Sequence, residues 1–276
     1  MAPAPPHDDA APAHPEPPVR ALATGLAVLR SFTPDHASLT VSDAAAAAGT
    51  TRATARRVLH TLVHEGYAVQ EGRDFRLTPR VLELGHGYWT GTSLAEILRP
   101  VLTRASQELE QSCSAAVLDG PFLLYIARVH TERIIRVNLD VGTRMPAFLT
   151  SMGRVLLADL PPATVRRVLE AAPRTPRTPR TVTDVEALLE EIARVRRQDH
   201  AVVTAELDEH LSSVAVPVRG PDGAVVAAIN TALPHRTPGA AGPSADEQTR
   251  AAVAQALPVL REAARDAEDA LVARRR

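Results

Sequence analysis

The stretch that most constrains this chain is residues 41–77, VSDAAAAAGTTRATARRVLHTLVHEGYAVQEGRDFRL. It reads as two short helices joined by a tight turn and followed by a β-hairpin. With a further helix ahead of it, that order is a winged helix-turn-helix, a module whose second helix enters the DNA major groove. The helices of such a pair cross closely and need small residues there, and the alanine run 44–48 with Gly49 supplies them. Ser42 is the expected cap of the first helix, which stops at Gly49. Thr50 or Thr51 caps the second, which runs to about Glu65-Gly66. Upstream, Val19, Leu22, Leu26, Leu29 and Phe32 keep helical spacing and stop before Pro34. Downstream, residues 67–70 and 75–77 flank a turn-rich EGRD tip.

Within the second helix of the pair, Ala55, Val58, Leu59, Leu62 and Val63 make one apolar stripe. At about 100° per residue, Arg57, His60 and His64 lie opposite it and Arg56 flanks them. Thr51 and Arg52 sit at the helix start and Arg73 at the hairpin tip. The expected DNA contacts are therefore Thr51, Arg52, Arg56, Arg57, His60 and Arg73. A solvated amphipathic helix would show the same stripe, but not the order helix–helix–helix–hairpin around it. All 31 basic residues are Arg, none is Lys, and alanine is abundant. That is the mark of a GC-rich coding sequence, so position rather than abundance must carry each arginine's weight.

The net charge of −1 excludes a polycation, and a lone Cys113 excludes an internal disulfide framework or a CxxC zinc site. His60 and His64 have a metal-compatible i, i+4 spacing with no third ligand near, so a solvated or phosphate-facing pair is the expectation. No cofactor or metal is expected. Neither a membrane-length apolar run nor a signal peptide is present, which points to a cytoplasmic protein with no membrane partner. The sequence holds no nucleophile elbow, metal-ligand cluster or P-loop. A regulator rather than an enzyme is expected; the alternatives are an enzyme acting on a small organic acid, or an interaction module that has lost DNA binding.

The fold class expected is α+β in two domains. Residues 1–18 read as a disordered Pro/Ala-rich tail, 19–78 as the winged helix-turn-helix, 79–92 as a linker helix carrying Val81, Leu82, Leu84 and Trp89, and 93–276 as a second domain. Ser93-Leu-Ala-Glu96 reads as a capping box opening a helix that Pro100 kinks or splits. Apolar runs at 115–119, 122–129 and 133–140 read as an antiparallel meander. Helices follow near 151–158, 161–171 and 183–198, the last from a capping box at Thr183, with an extended PRTPRTPR loop before it. Strands at 212–218 and 224–233 share the turn 220–223. A long last helix starts at the capping box of Ser244 and Glu247 and ends in Arg274, Arg275 and Arg276.

Three segments, RLTPRVLELG (76–85), LTSMGRVLLADLP (149–161) and SSVAVPVRGPDGAVVAAIN (212–230), in this order and spacing, resemble the IclR family of bacterial transcriptional regulators. SCSAAVLDG (112–120), YIARV (125–129) and VGTRMPAFLTSMGR (141–154) are similar to its protocatechuate and 4-hydroxybenzoate regulators of the β-ketoadipate pathway. The resemblance implies a GAF-like C-terminal effector domain, and homodimers through the N-terminal domains, often paired into tetramers on operator DNA with palindromic or repeated half-sites. It implies a small-acid pocket between the sheet and the helix beginning at TSMGR. Ser151, Met152 and Gly153 would offer backbone N–H groups there, a natural carboxylate site. Ser213 and Asn230 match wall positions that bond the ligand's polar substituents. Arg128, Arg154, Cys113 and Glu206 are implied neighbours, with a structural ion pair or dimer contact an equal reading for the two arginines. The effector implied is a small carboxylate from catabolism, of the aromatic kind. Aromatic residues are only 3% of the chain, so its walls are aliphatic.

The chain departs from the family at His210-Leu-Ser-Ser213, where GLRS is usual, at Asp199 where Gly is usual, and at Ala232 where Ser is common. Whether such a regulator represses or activates depends on where its operator lies relative to the promoter.

Overall fold

The computed structural model describes residues 19–33, 35–85, 94–131, 139–235 and 244–274. The expected tail 1–18, Trp89, Ser93 with its capping box, residues 133–138 of the third meander run, and Arg275 and Arg276 lie outside these. The chain divides into two compact units, 1–92 and 93–276.

In the first unit, α1 (Arg20–Arg30) precedes a short β1 (Ser38–Thr40) that leads directly into α2 (Val41–Ala47). After the turn come α3 (Arg52–His64), β2 (Ala68–Glu71) and β3 (Asp74–Leu77), in an antiparallel sheet of order β1-β3-β2. The alanines earn their place by burial: Ala44, Ala45 and Ala55 pack with Val28, Leu39, Leu59 and Phe75 into one core. Gly49 ends α2 with φ 60°, a left-handed conformation that suits glycine. The cap of α2 is Thr40, not Ser42. Thr40 Oγ1 accepts from Asp43 N–H while the Asp43 carboxylate accepts from Thr40 N–H, a capping box two residues earlier than expected because β1 hands over to the helix there. The Thr40 hydroxyl and the Thr40 N–H both donate to the Asp43 carboxylate and hold it below its ordinary pKa. α3 is capped by Thr51, as expected. The linker departs from expectation: Pro79–Gly85 is a 3-10 helix, with Leu82 and Leu84 exposed.

The second unit is a six-stranded antiparallel sheet of order β6-β5-β4-β9-β8-β7. Its strands are β4 (Cys113–Asp119), β5 (Phe122–Val129), β6 (Arg144–Pro146), β7 (Ala201–Thr204), β8 (Leu211–Arg219) and β9 (Val225–Pro234). One face carries α4 (Leu94–Leu109) and α8 (Ala245–Ala273) over Val214, Val216, Ile229 and Cys113. The other carries α5 (Ser151–Asp159), α6 (Pro162–Ala171) and α7 (Val185–Gln198) over Ala116, Tyr125, Ala215 and Ala228. This alternation of faces along each strand is the period-2 pattern of a sheet buried on both sides.

Several expectations are corrected here. α4 passes Pro100 as a single helix. α7 is capped by Asp184, whose carboxylate accepts from Ala187 N–H, so the cap lies one residue beyond Thr183. β6 and β7 had no counterpart in the sequence reading, and Leu139 and Asp140 are not in a strand. The capping box of Ser244 and Glu247 is present. Asp199 is left-handed (φ 58°) at the end of α7, the conformation a Gly would take there most easily.

Candidate DNA-binding and effector sites

Between α3 and the hairpin lies a groove of about 590 Å³. Arg52, Arg56 and His60, one per turn of α3, form one wall, and Gln70, Gly72, Arg73 and Phe75 form the other. The positions are fixed by small local interactions. The His60 ring meets Phe75 edge-on at 5.8 Å, Arg56 Nε donates to His60 Nε2 at 3.5 Å, and Gln70 Nε2 donates to Gly72 O across the hairpin tip. Four of the six expected residues therefore line one basic groove. Thr51 sits just outside it as the α3 cap, its Oγ1 accepting from Thr54 N–H. Arg57 is exposed, one residue round the helix from the groove wall. Arg52, Arg56 and Arg73, with the His60 ring among them, give a row of positive charge and polar edges along a trough, suited to phosphates and base edges.

In the second unit, a cavity of about 30 Å³ lies between the inner sheet face and the start of α5. Its walls include Arg128, Ser213 and Asn230 from the expected set, together with Tyr125, Leu139, Leu149, Thr150, Val203, Leu207, Leu211 and Ala232. That volume holds about two water molecules, whereas ligand pockets commonly run to about 300–1,000 Å³. The cavity is narrow around its polar groups.

Those groups are poorly paired. Arg128 donates to Ser114 Oγ at 3.0 Å and to His130 Nδ1 at 3.3 Å. Among the described residues no carboxylate comes within ion-pair reach of it, and burial lowers its pKa from the ordinary arginine value. The Asn230 Oδ1 atom is buried with no hydrogen-bond partner. Burial of Tyr125 pushes its phenol up to about 12, so at neutral pH it is a neutral donor. Ser151 Oγ donates to Ser213 Oγ at 2.8 Å, tying α5 to β8. Thr150 caps α5 by accepting from Gly153 N–H, which leaves the first-turn N–H groups of Ser151 and Met152 without intrahelical acceptors, as at any helix start.

The remaining expected residues do not reach the cavity wall. Arg154 and Glu206 form a buried ion pair at 2.6 Å, with side chains 2% and 8% exposed. Arg154 Nε also donates to Phe148 O, and the same Glu206 oxygen accepts from Val182 N–H. Both are committed to holding α5 against the 147–149 turn and the 205–207 segment. Gly153 serves the same contact, since a Cβ there would lie 2.0 Å from Ala147 O. Met152 is wholly buried beneath the helix. Cys113 faces the opposite core, where burial raises its thiol to about 11. The wall residues missed by sequence reading are mostly apolar. Tyr125 in YIARV, Leu149 and Thr150 in LTSMGR, and Leu211 and Ala232 among the departures all lay in segments the sequence had singled out. Val203 was hidden because β7 itself was unseen.

A family model described as "IclR helix-turn-helix domain" matches residues 21–72, and one described as "Bacterial transcriptional regulator IclR C-terminal" matches residues 86–266. The second alone spans more than half of the chain. The chain belongs to the IclR family. It is a DNA-binding transcriptional regulator of that type. Among its curated relatives, the Pca regulon regulatory protein of Pseudomonas putida is 42% identical over 210 residues, 76% of this chain and 72% of that protein. The p-hydroxybenzoate hydroxylase transcriptional activator of Acinetobacter baylyi is 31% identical, covering 77% and 80%. A solved IclR homologue from Microbacterium hydrocarbonoxydans, complexed with 4-hydroxybenzoate, aligns with TM-score 0.77 at 27% identity, over 92% of this chain and 99% of that one. The resemblance read from the motifs is thus borne out. Among the described residues of this IclR regulator, no helix is long and apolar enough to cross a membrane.

Proposed function

We propose that this IclR regulator senses a small aromatic carboxylate in the cavity beneath α5 and changes its hold on operator DNA in response, controlling genes of aromatic catabolism. The observation that carries the effector half is Arg128, a half-buried guanidinium on the cavity wall that makes no direct ion pair among the described residues and feels only the longer-range charge of Asp140. A bound carboxylate would supply the missing counter-charge. The Ser151 and Met152 N–H groups at the start of α5 favour the same charge. Arg154, paired with Glu206, is left out of the ligand's first contacts in this reading. The second unit acts as a sensor rather than an enzyme, in keeping with relatives that are named as regulators.

The DNA half rests on the groove of Arg52, Arg56, His60 and Arg73, and we assign residues 19–78 to DNA binding, 79–92 to the linker and 93–276 to effector binding. A cytoplasmic homodimer, paired into a tetramer on two half-sites, fits Val19, Leu22 and Leu26 of the α1 region, which stay exposed on one helical face. The effector shifts the population between two arrangements of the DNA-binding pairs. The test is fluorescence anisotropy with labelled intergenic DNA from upstream of the protein's own gene, with and without benzoate-type acids. A shift in DNA affinity with an acid that is lost in Arg128→Met is expected; acids that bind without altering DNA affinity would defeat the regulatory reading.

A further inference from the structure

α3 ends at His64 with Glu65 as its cap, and Glu65, Gly66 and Tyr67 present three successive main-chain carbonyls at its exit. Two residues where the hairpin passes into the linker take all three. Arg80 Nη1 donates to Glu65 O at 2.8 Å, Thr78 Oγ1 donates to Gly66 O at 2.6 Å, and Thr78 N–H donates to Tyr67 O at 2.9 Å. The Arg80 guanidinium also lies over the Tyr67 ring, 5.3 Å from its centroid and within cation–π range. Its Nε donates to Glu83 Oε2 at 3.3 Å, which ties the same side chain to the 3-10 turn of the linker. Gly66 makes room for this head group, since a Cβ there would lie 3.0 Å from Arg80 Nη1. A cation donating to a carbonyl at a helix C-terminus also meets the negative end of the helix dipole. The half-exposed ion pair with Glu83 alone would contribute little and would need none of these contacts.

We propose that Arg80 is a positioning residue for operator binding: it grips the exit of α3 without touching DNA, and so makes the linker the handle that sets how α3 lies in the groove. The lever is long enough to matter. α3 has 13 residues and carries Arg52, Arg56 and His60 on the groove wall, whereas Arg80 is not part of that wall. Such a helix is about 20 Å long, so a tilt of about 5° at Glu65 moves Arg52 by about 2 Å, enough to break a hydrogen bond to a base edge. The same grip gives a change in the linker a path to α3. That second role rests on the effector reading; the positioning of α3 does not.

The experiment is fluorescence anisotropy of the full-length protein, over a range of salt, on an operator duplex that the parent has selected from a random pool and on a scrambled duplex. The variants are Arg80→Met, Arg80→Lys and Thr78→Val. Without any acid, Arg80→Met is expected to bind the operator about tenfold or more weaker, the worth of a lost base contact, while its binding to scrambled DNA and its logarithmic salt slope match the parent. Arg80→Lys keeps the charge and a donor at the helix end and should recover most of the loss. Thr78→Val keeps the shape without the hydroxyl and should lose operator affinity in the same sense. A salt slope lower by about 1 in Arg80→Met would make Arg80 a phosphate contact and overturn the proposal. Unchanged operator affinity would overturn it too, as would equal losses on both duplexes, the mark of a unit that has only loosened. With 4-hydroxybenzoate or protocatechuate added, any shift in the parent's operator affinity should shrink to about twofold or less in Arg80→Met, while calorimetry finds acid binding unchanged. A shift kept in full would overturn the path from linker to α3. Should neither acid move the parent, the effector reading is what fails, and the acid-free comparison still decides the role of Arg80. If Arg80→Met does not fold, Arg80→Lys and Thr78→Val carry the same comparison between duplexes.

Discussion

Charge pairing between residues far apart in sequence decides what Arg154 does. The motif around it placed it correctly at the start of α5, yet a sequence shows a charge without showing its partner, and Glu206 lies 52 positions away. Removing one member of such a buried pair strands the other: Arg154→Met should cost about 3–5 kcal/mol, and the double change Arg154→Met with Glu206→Leu should recover most of it. Chemical denaturation of both variants checks this; a double variant no more stable than the single would mean the pair is not the unit. Cys113 gives a second test. With its thiol raised to about 11 and wholly buried, it should resist a thiol reagent at about pH 8 in the native protein and react promptly in denaturant. Labelling at similar rates in both states would show that this core opens readily.

Helix starts were legible as a class but not to the residue. Thr51 and Ser244 stood where local pattern put them, whereas Thr40 and Asp184 displaced Ser42 and Thr183 because the preceding backbone fixes where the first turn begins. The capping carboxylates Asp43 and Glu247 and the Arg180-bonded Asp246 all have lowered pKa values. Their folded values lie below their unfolded ones, so what they add is present above the usual carboxylate range and is lost as pH falls through the folded values. Melting temperature should therefore drop between about pH 6 and pH 3, and Asp43→Asn should flatten part of the drop in the first unit. A melting temperature unchanged over that span would contradict the assignment. At α5, Gly153→Ala should be severe, because the intruding methyl meets backbone rather than a flexible side chain. A loss of about 3 kcal/mol or more is expected from urea titration. Near-neutrality would mean the helix shifts freely over the 147–149 turn.

For the molecule as a whole, the order of long elements was readable because hydrophobic period survives in helices and seven- to ten-residue strands. β6 and β7, three and four residues long, carry too little pattern to announce themselves, and β7 brings Val203 to the cavity wall. The small volume of the cavity was equally invisible, since it depends on how closely Leu149, Leu207 and Leu211 approach rather than on which residues are present. Because entry needs those walls to part, effector association should be slower than diffusion and should level off with rising ligand concentration in stopped-flow measurements, the opening step setting the ceiling. A rate that stays linear to high concentration would indicate an open pocket in solution. DNA affinity should fall steeply with salt, and Arg56→Ala or Arg73→Ala should each lower the logarithmic salt slope by about 1 if the residue meets a phosphate. An unchanged slope would move that arginine out of the interface.

The two short outer strands also govern how this protein can meet copies of itself. A sheet edge offers unpaired main-chain groups to any passing strand, and the longer the edge, the better the template. Here a six-stranded sheet tapers to three residues at one side and four at the other. Among the described residues, these outermost strands are short templates for strand-to-strand stacking. Contacts between subunits are therefore expected to run through side-chain surfaces, whose sequence-specific fit favours closed assemblies over fibres at the high local concentration near an operator.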